Sequence, residues 1–197
     1  ARVEARLIAA IEAIRAVDPQ ARFVQCDPLI HVHAAPGDPA GQAAAAAATE
    51  AQYQAWDMLS GRCQPELGGR ADYLDVIGVN FYSNNQWVGA GGTVELGNPA
   101  YLPLSALLGR LHARYARPIL IAETGAEASA RAAWLHYVGD EAMLALESGV
   151  PLEGVCLYPI VDYPGWDNER YCEVGLFGAA DAQGRRPLCR PLAEELQ

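Results

Sequence analysis

No pair of cysteines in this chain is spaced C-x-x-C; the five present, Cys26, Cys63, Cys156, Cys172 and Cys189, are scattered and odd in number. That spacing excludes a compact zinc knot or a dithiol redox pair and implies reduced thiols, as in a cytoplasmic protein. Long apolar runs are also missing. Every hydrophobic stretch is broken by Gly, Pro or charge, so nothing reads as a membrane span or a signal peptide. Positive charge is scarce, with 14 Lys and Arg against 24 Asp and Glu and a net charge of -10. Such a surface repels nucleic-acid backbone and anionic membrane, and a neutral or cationic small molecule suits it better. No linker and no internal repeat divides the chain, and a hydrophobic share of 51% supports one domain over residues 1–197 with a sizeable core. Ala1 opens inside a helical pattern, so the expectation is a fold truncated at its amino terminus.

Periodicity supplies the elements. Leu7, Ile8, Ile11 and Ile14 mark a helix over 4–17, stopped by "DPQ". "RFVQC" (22–26) reads as a strand running into the turn-rich "DPLIHVHAAPGDPAG". The Ala-rich stretch 42–59 predicts one helix, and "YLDVIGVNFY" (73–82) a second strand with a long Gly/Asn-rich loop behind it. Leu104, Leu107, Leu108 and Leu111 make a helical stripe, "RPILIAE" a third strand, and 129–147 a helix facing inward through Leu135, Val138, Ala142 and Leu146. "GVCLYPIVDY" (154–163) is the fourth strand, and a last helix starts near Pro191. Near-continuous apolar strands alternating with helices predict an α/β fold, a parallel sheet of βα repeats covered on both faces.

In such folds the functional side chains stand where strands pass into the following loops. The first strand leads into Asp27, His31 and His33, the second into Asn80, Tyr82, Asn84 and Asn85, the third into Glu123, and the fourth into Asp162, Trp166 and Asp167. A carboxylate beside an apolar strand costs several kcal/mol unless it is bonded or paired, so Glu123 needs partners or a function. Asn80 and Tyr82, from the preceding strand, are placed to hold it ionised and oriented. Aromatics among amides and carboxylates are also what a sugar ring asks of a site. Trp87, on the long loop, is a further candidate to face substrate. A competing chemistry is "HVH" at 31–33, where two imidazoles two residues apart, with Asp27 and Glu123, would make a metallohydrolase.

"IAETG", "IGVNFY" and "YPIVDYPGW" resemble three strand-end motifs of the retaining β-glycosidases of glycoside hydrolase family 1, which are (β/α)8 barrels. The resemblance covers roughly residues 5 to 197 and implies the C-terminal half of a TIM-type barrel, strands five to eight. It implies that Glu123 is the nucleophile, with Asn80 and Tyr82 beside it. Tyr158 and Trp166 fall where the family has two tryptophans. Gly165 falls where the family has a sugar-binding Glu, leaving Asp162 or Asp167 to take over that contact. No Asn-Glu-Pro motif is present, so the general acid is expected from a missing N-terminal half-barrel; a half that folds alone is expected to self-associate through its open strand edges. The implied partner is a carbohydrate substrate, and no cofactor or metal is implied. A non-catalytic sugar-binding or scaffolding remnant of such a barrel is the alternative from another class.

Overall fold

The computed structural model describes residues 2–197. Helix α1 (Arg2–Val17) precedes β1 (Val24–Pro28), the short strand β2 (His31–His33), and helices α2 (Pro39–Ala51) and α3 (Gln54–Leu59). These are followed by β3 (Val76–Asn80), β4 (Gln86–Val88), α4 (Leu104–Tyr115), β5 (Ile119–Thr124), α5 (Ala130–Glu147) and β6 (Leu152–Leu157). A small hairpin of β7 (Tyr163–Pro164) and β8 (Tyr171–Cys172) and the helix α6 (Arg190–Glu195) complete the order.

The main sheet runs β1-β3-β5-β6, and all three pairings are parallel, as the alternation of helix and strand requires. Side chains alternate along each strand, so Ile77, Val79, Ile119 and Ile121 turn to the helices and are fully buried. Leu104, Leu107, Leu108 and Leu111 of α4 meet them in one core that also holds Trp56, Phe81 and Trp134. Each such fully buried aliphatic side chain contributes roughly 1.5–3 kcal/mol. Gly78 and Asn80 turn the other way, onto a concave face that no helix covers.

On that open face Val24 remains 43% exposed, and Cys26 and Cys156 are exposed as well. β1 and β6 each have one unpaired edge among the described residues. Across the trough between them the Arg22 guanidinium donates to Glu153 at 2.5 Å. Because Phe23 and Leu152 pack into the core, Arg22 and Glu153 must point to the opposite, concave side.

Four readings of the sequence need correcting. The first strand starts at Val24 rather than residue 22, because the Phe23 amide is taken by the Asp75 carboxylate and pairing begins only at Val24 with Val76. The helix expected over 42–59 is two helices: at the break Gln52 turns its side chain back onto the Ile30 amide and the Thr49 carbonyl. The fourth strand stops at Leu157, with a last bond from the Tyr158 amide to the Thr124 carbonyl before Pro159, which has no amide to donate. The inward stripe of α5 is Trp134, Val138, Ala142 and Ala145, while Leu146 is 44% exposed and Leu135 only partly buried. Trp134 dictates that rotation, since it must reach Thr124 and stack on Phe81.

Candidate functional site

Two neighbours of Glu123 explain its placement. The buried Thr124 hydroxyl donates to the Phe81 carbonyl at 2.7 Å and accepts from Trp134 Nε1 at 2.9 Å. The Phe81 amide in turn donates to the Glu123 carbonyl. Gly125 follows because nothing larger fits: a Cβ there would lie 2.1 Å from the Tyr158 carbonyl oxygen. The motif "ETG" thus puts one residue into the cavity, one into the core and one against a neighbouring backbone.

The Glu123 carboxylate emerges on the carboxyl rim of the sheet. Tyr82 Oη donates to its Oε1 at 2.5 Å, and Asn80 Nδ2 stands 3.5 Å from Oε2. Burial first, and then that bond to a carboxylate, push the Tyr82 phenol well above its ordinary pKa, so it remains a donor across the working pH range. One oxygen is therefore firmly held and the other nearly free. Register explains the meeting: Asn80 pairs with Glu123 across β3 and β5 at the point where the register shifts.

Beside the carboxylate lies an open cavity of about 920 Å³. Its walls are largely aromatic and small: Tyr82, Tyr158, Tyr163 and Trp166, with Gly125 and Ala126. Polar groups enter from Ser83, Asn84, Glu123 and Glu127. Tyr158 and Tyr163 sit with ring centroids 6.2 Å apart, and it is first the neighbouring Tyr163 phenol that raises the Tyr158 pKa. Trp166 is 85% exposed, a free indole face at the mouth.

Of the residues singled out in the sequence, Glu123, Tyr82, Asn80, Tyr158 and Trp166 are brought together here. The structure places Asp162, Asp167 and Trp87 elsewhere. The Asp162 carboxylate is buried, accepts from the Gly175 amide at 2.7 Å and faces Arg131 at 3.8 Å, so it fastens a loop. Asp167 is exposed and does not line the cavity. Trp87, on β4, lines two other hollows, one beside Asp27 and one against the alanines of α2. Asn85 also turns inward, bonding the carbonyls of Leu29 and Asn80.

The two histidines follow another logic. β2 pairs with β4, so His31 and His33 both project toward Gln86, with their rings edge to face at 4.5 Å and His33 Nε2 3.2 Å from Gln86 Oε1. Burial, with the charges of His33 and Arg110, lowers the His31 pKa to about 4. Among the described residues no third His, Cys, Asp or Glu joins them to make a metal-sized set.

Sequence reasoning missed Glu127, Tyr163 and Arg170. Glu127 reads as one more charge in a loop. Only the bidentate grip of Arg170 Nη1 on both its oxygens, 2.9 Å each, shows that it is fixed.

No family model matches the chain, and no curated protein matches it. Solved structures do. A mutant of a hyperthermophilic β-glucosidase superposes with a TM-score of 0.72 at 19% identity, over 97% of this chain and 46% of that one. The family 1 β-glucosidase of Thermotoga maritima gives 0.68 at 15% identity over 99% and 54%. The same organism's β-glucosidase in complex with glucoimidazole gives 0.70 at 14%, over 98% and 55%. The chain spans about half the length of the barrel proteins that it matches. Its fold is that of a parallel βα-repeat unit from a (β/α)8 barrel of the β-glucosidase kind.

Proposed function

We propose that this chain is the nucleophile-bearing half of a retaining β-glycosidase acting on a β-linked sugar. The observation that carries the reading is the asymmetric grip on Glu123 at the edge of a sugar-sized, aromatic-walled cavity. Tyr82 fixes Oε1, which leaves Oε2 as the attacking atom. In the first step Oε2 bonds to the anomeric carbon as the bond to the leaving oxygen breaks, giving a glycosyl-enzyme; water then releases the sugar with the anomeric configuration retained. Tyr158, Tyr163 and Trp166 offer flat faces to the sugar's C–H surfaces.

The leaving oxygen needs a proton from a second carboxyl about 5 Å from the first. Glu127 shares the cavity but is unsuited to that role: its bond to Arg170 lowers its pKa and keeps it ionised. The acid therefore comes from outside this unit, from an N-terminal half-barrel or a second copy docked along the open edges of β1 and β6. A cytoplasmic location agrees with five unpaired thiols.

The test is mechanism-based labelling. Incubation with 2,4-dinitrophenyl 2-deoxy-2-fluoro-β-D-glucoside, whose leaving group needs little acid assistance, is expected to add one fluoroglycosyl group to the peptide containing Glu123. Sugar binding without labelling would favour a non-catalytic binding remnant; Gly165, which offers no side chain to a sugar, is the observation that favours this second reading.

A further inference from the structure

The wall of the open cavity that holds Glu123 also holds Glu127, whose carboxylate is ion-paired with Arg170 at its outer side. Glu127 lies in the loop between β5 and α5, on the cavity wall. The next residue, Ala128, holds a left-handed backbone at φ 50°, a conformation that costs a non-glycine residue of order 1 kcal/mol. Three bonds hold it there. The Ala128 amide donates to the Glu173 carbonyl at 2.8 Å, and Arg131 donates to the carbonyls of Ala128 at 2.9 Å and Gly175 at 2.7 Å. An outlier over-determined in this way at a cavity wall is where a positioned functional group is to be sought.

Arg170 reaches Glu127 from the turn between β7 and β8. That turn is tight: the Gly165 amide donates to the Arg170 carbonyl at 2.6 Å, and the Arg170 amide to Asn168 Oδ1 at 2.9 Å. A Cβ at Gly165 would lie 2.6 Å from Asn168 Oδ1 and 3.2 Å from the Arg170 carbonyl, so a side chain there would displace the Asn168 side chain that holds the turn. The turn that leaves position 165 without a side chain presents Arg170 instead.

We propose that Glu127, clamped by Arg170, binds the outer hydroxyls of an uncharged hexose ring lying over Glu123. A carboxylate has about four lone-pair sites, of which the two N–H contacts use two, so each oxygen can still accept from a hydroxyl. Arg170 Nε and Nη2 make no other hydrogen bond among the described residues and can donate to the same hydroxyl oxygens. Adjacent acceptors and donors at fixed spacing match a vicinal diol. A sugar with a phosphate or carboxylate at that end would meet the Glu127 charge, with Arg170 already neutralised, so it is excluded. This inference rests on the reading of the cavity as a sugar site.

The test is calorimetric titration of the 197-residue chain with 1-deoxynojirimycin and with its 4-deoxy and 6-deoxy analogues, in wild type, Glu127→Gln and Arg170→Met. A hydroxyl bonded to a charged acceptor is worth roughly tenfold or more in affinity. Wild type is expected to bind the parent at least tenfold tighter than one deoxy analogue; both variants are expected to lose that preference while binding the analogue unchanged. Arg170 is exposed, so its variant reports even where the Glu127 variant folds poorly. Preference retained in both variants overturns the inference, as does absence of any binding. Loss of preference without labelling of Glu123 leaves the inference standing and removes the nucleophile instead.

Discussion

Replacing Tyr82 by Phe removes one oxygen atom and leaves the cavity wall in place, so it isolates the grip on Glu123. The hydroxyl lost donates to Oε1 at 2.5 Å, and the carboxylate's other side-chain hydrogen bond among the described residues is from Asn80, at 3.5 Å from Oε2. A hydrogen bond to a charged group is worth about 1.5–3 kcal/mol, and partial exposure of Tyr82 reduces that to roughly 1–2 kcal/mol. At about 1.4 kcal/mol per factor of ten, the labelling rate of Glu123 by the fluoroglucoside should fall roughly 5- to 30-fold. The loss belongs in the chemical step, because a carboxylate free to rotate spends less time with Oε2 aimed at the anomeric carbon. The assay is the first-order rate of label incorporation at saturating reagent, followed by intact-mass spectrometry. A Tyr82→Phe rate within twofold of wild type would refute the claim that this hydroxyl orients the nucleophile.

Three other outcomes are expected. Thr124→Val leaves the Phe81 carbonyl and Trp134 Nε1 buried without their partner and should cost roughly 2–4 kcal/mol in urea unfolding, with Thr124→Ser recovering most of it; equal losses in both variants would point to packing alone. Gly125→Ala puts a carbon 2.1 Å from the Tyr158 carbonyl and forces β5 and β6 apart at their ends; an overpacking cost of about 3 kcal/mol predicts a Tm drop of roughly 6–12 °C by calorimetry, and an unchanged Tm would contradict the close approach. His31 has its folded pKa lowered from 6.5 to about 4, so the unfolded chain takes up the proton first on acidification. Stability should therefore fall as pH drops through that interval, by roughly 1–2 kcal/mol after discounting for partial exposure. His31→Gln should flatten that slope in urea titrations, and an undiminished slope would assign it to other groups.

Much of the scaffold was legible because each parallel strand writes its own signal. "VIGVN" and "ILIAE" are near-continuous apolar runs, the mark of parallel strands, although helices cover only one face here, and the leucines of α4 repeat at helical spacing. What stayed hidden depends on contacts between distant segments. Gln52 breaks a helix because it finds the Ile30 amide 22 residues earlier, and Trp134 rotates α5 because Thr124 and Phe81 wait for it. The centre of the site was readable for a local reason: Asn80, Tyr82 and Glu123 all stand at strand ends. Its outer wall was not. Glu127 and Arg170 are 43 residues apart, and nothing in either neighbourhood announces the other. Asp162 shows the converse, a rim carboxylate in the sequence that proves to be a loop fastener.

The bridge from Arg22, just ahead of the first strand, to Glu153 in the last strand of the sheet spans 131 residues. A contact of such long sequence separation forms late, after the loop-closure entropy of everything between has been met. During synthesis, nascent chains that end before Glu153 would carry β1 with its lower end untied. The two ends of the sheet are thus tied only when the fourth strand emerges, and premature termination before that strand should leave β5 with an unpaired, association-prone edge.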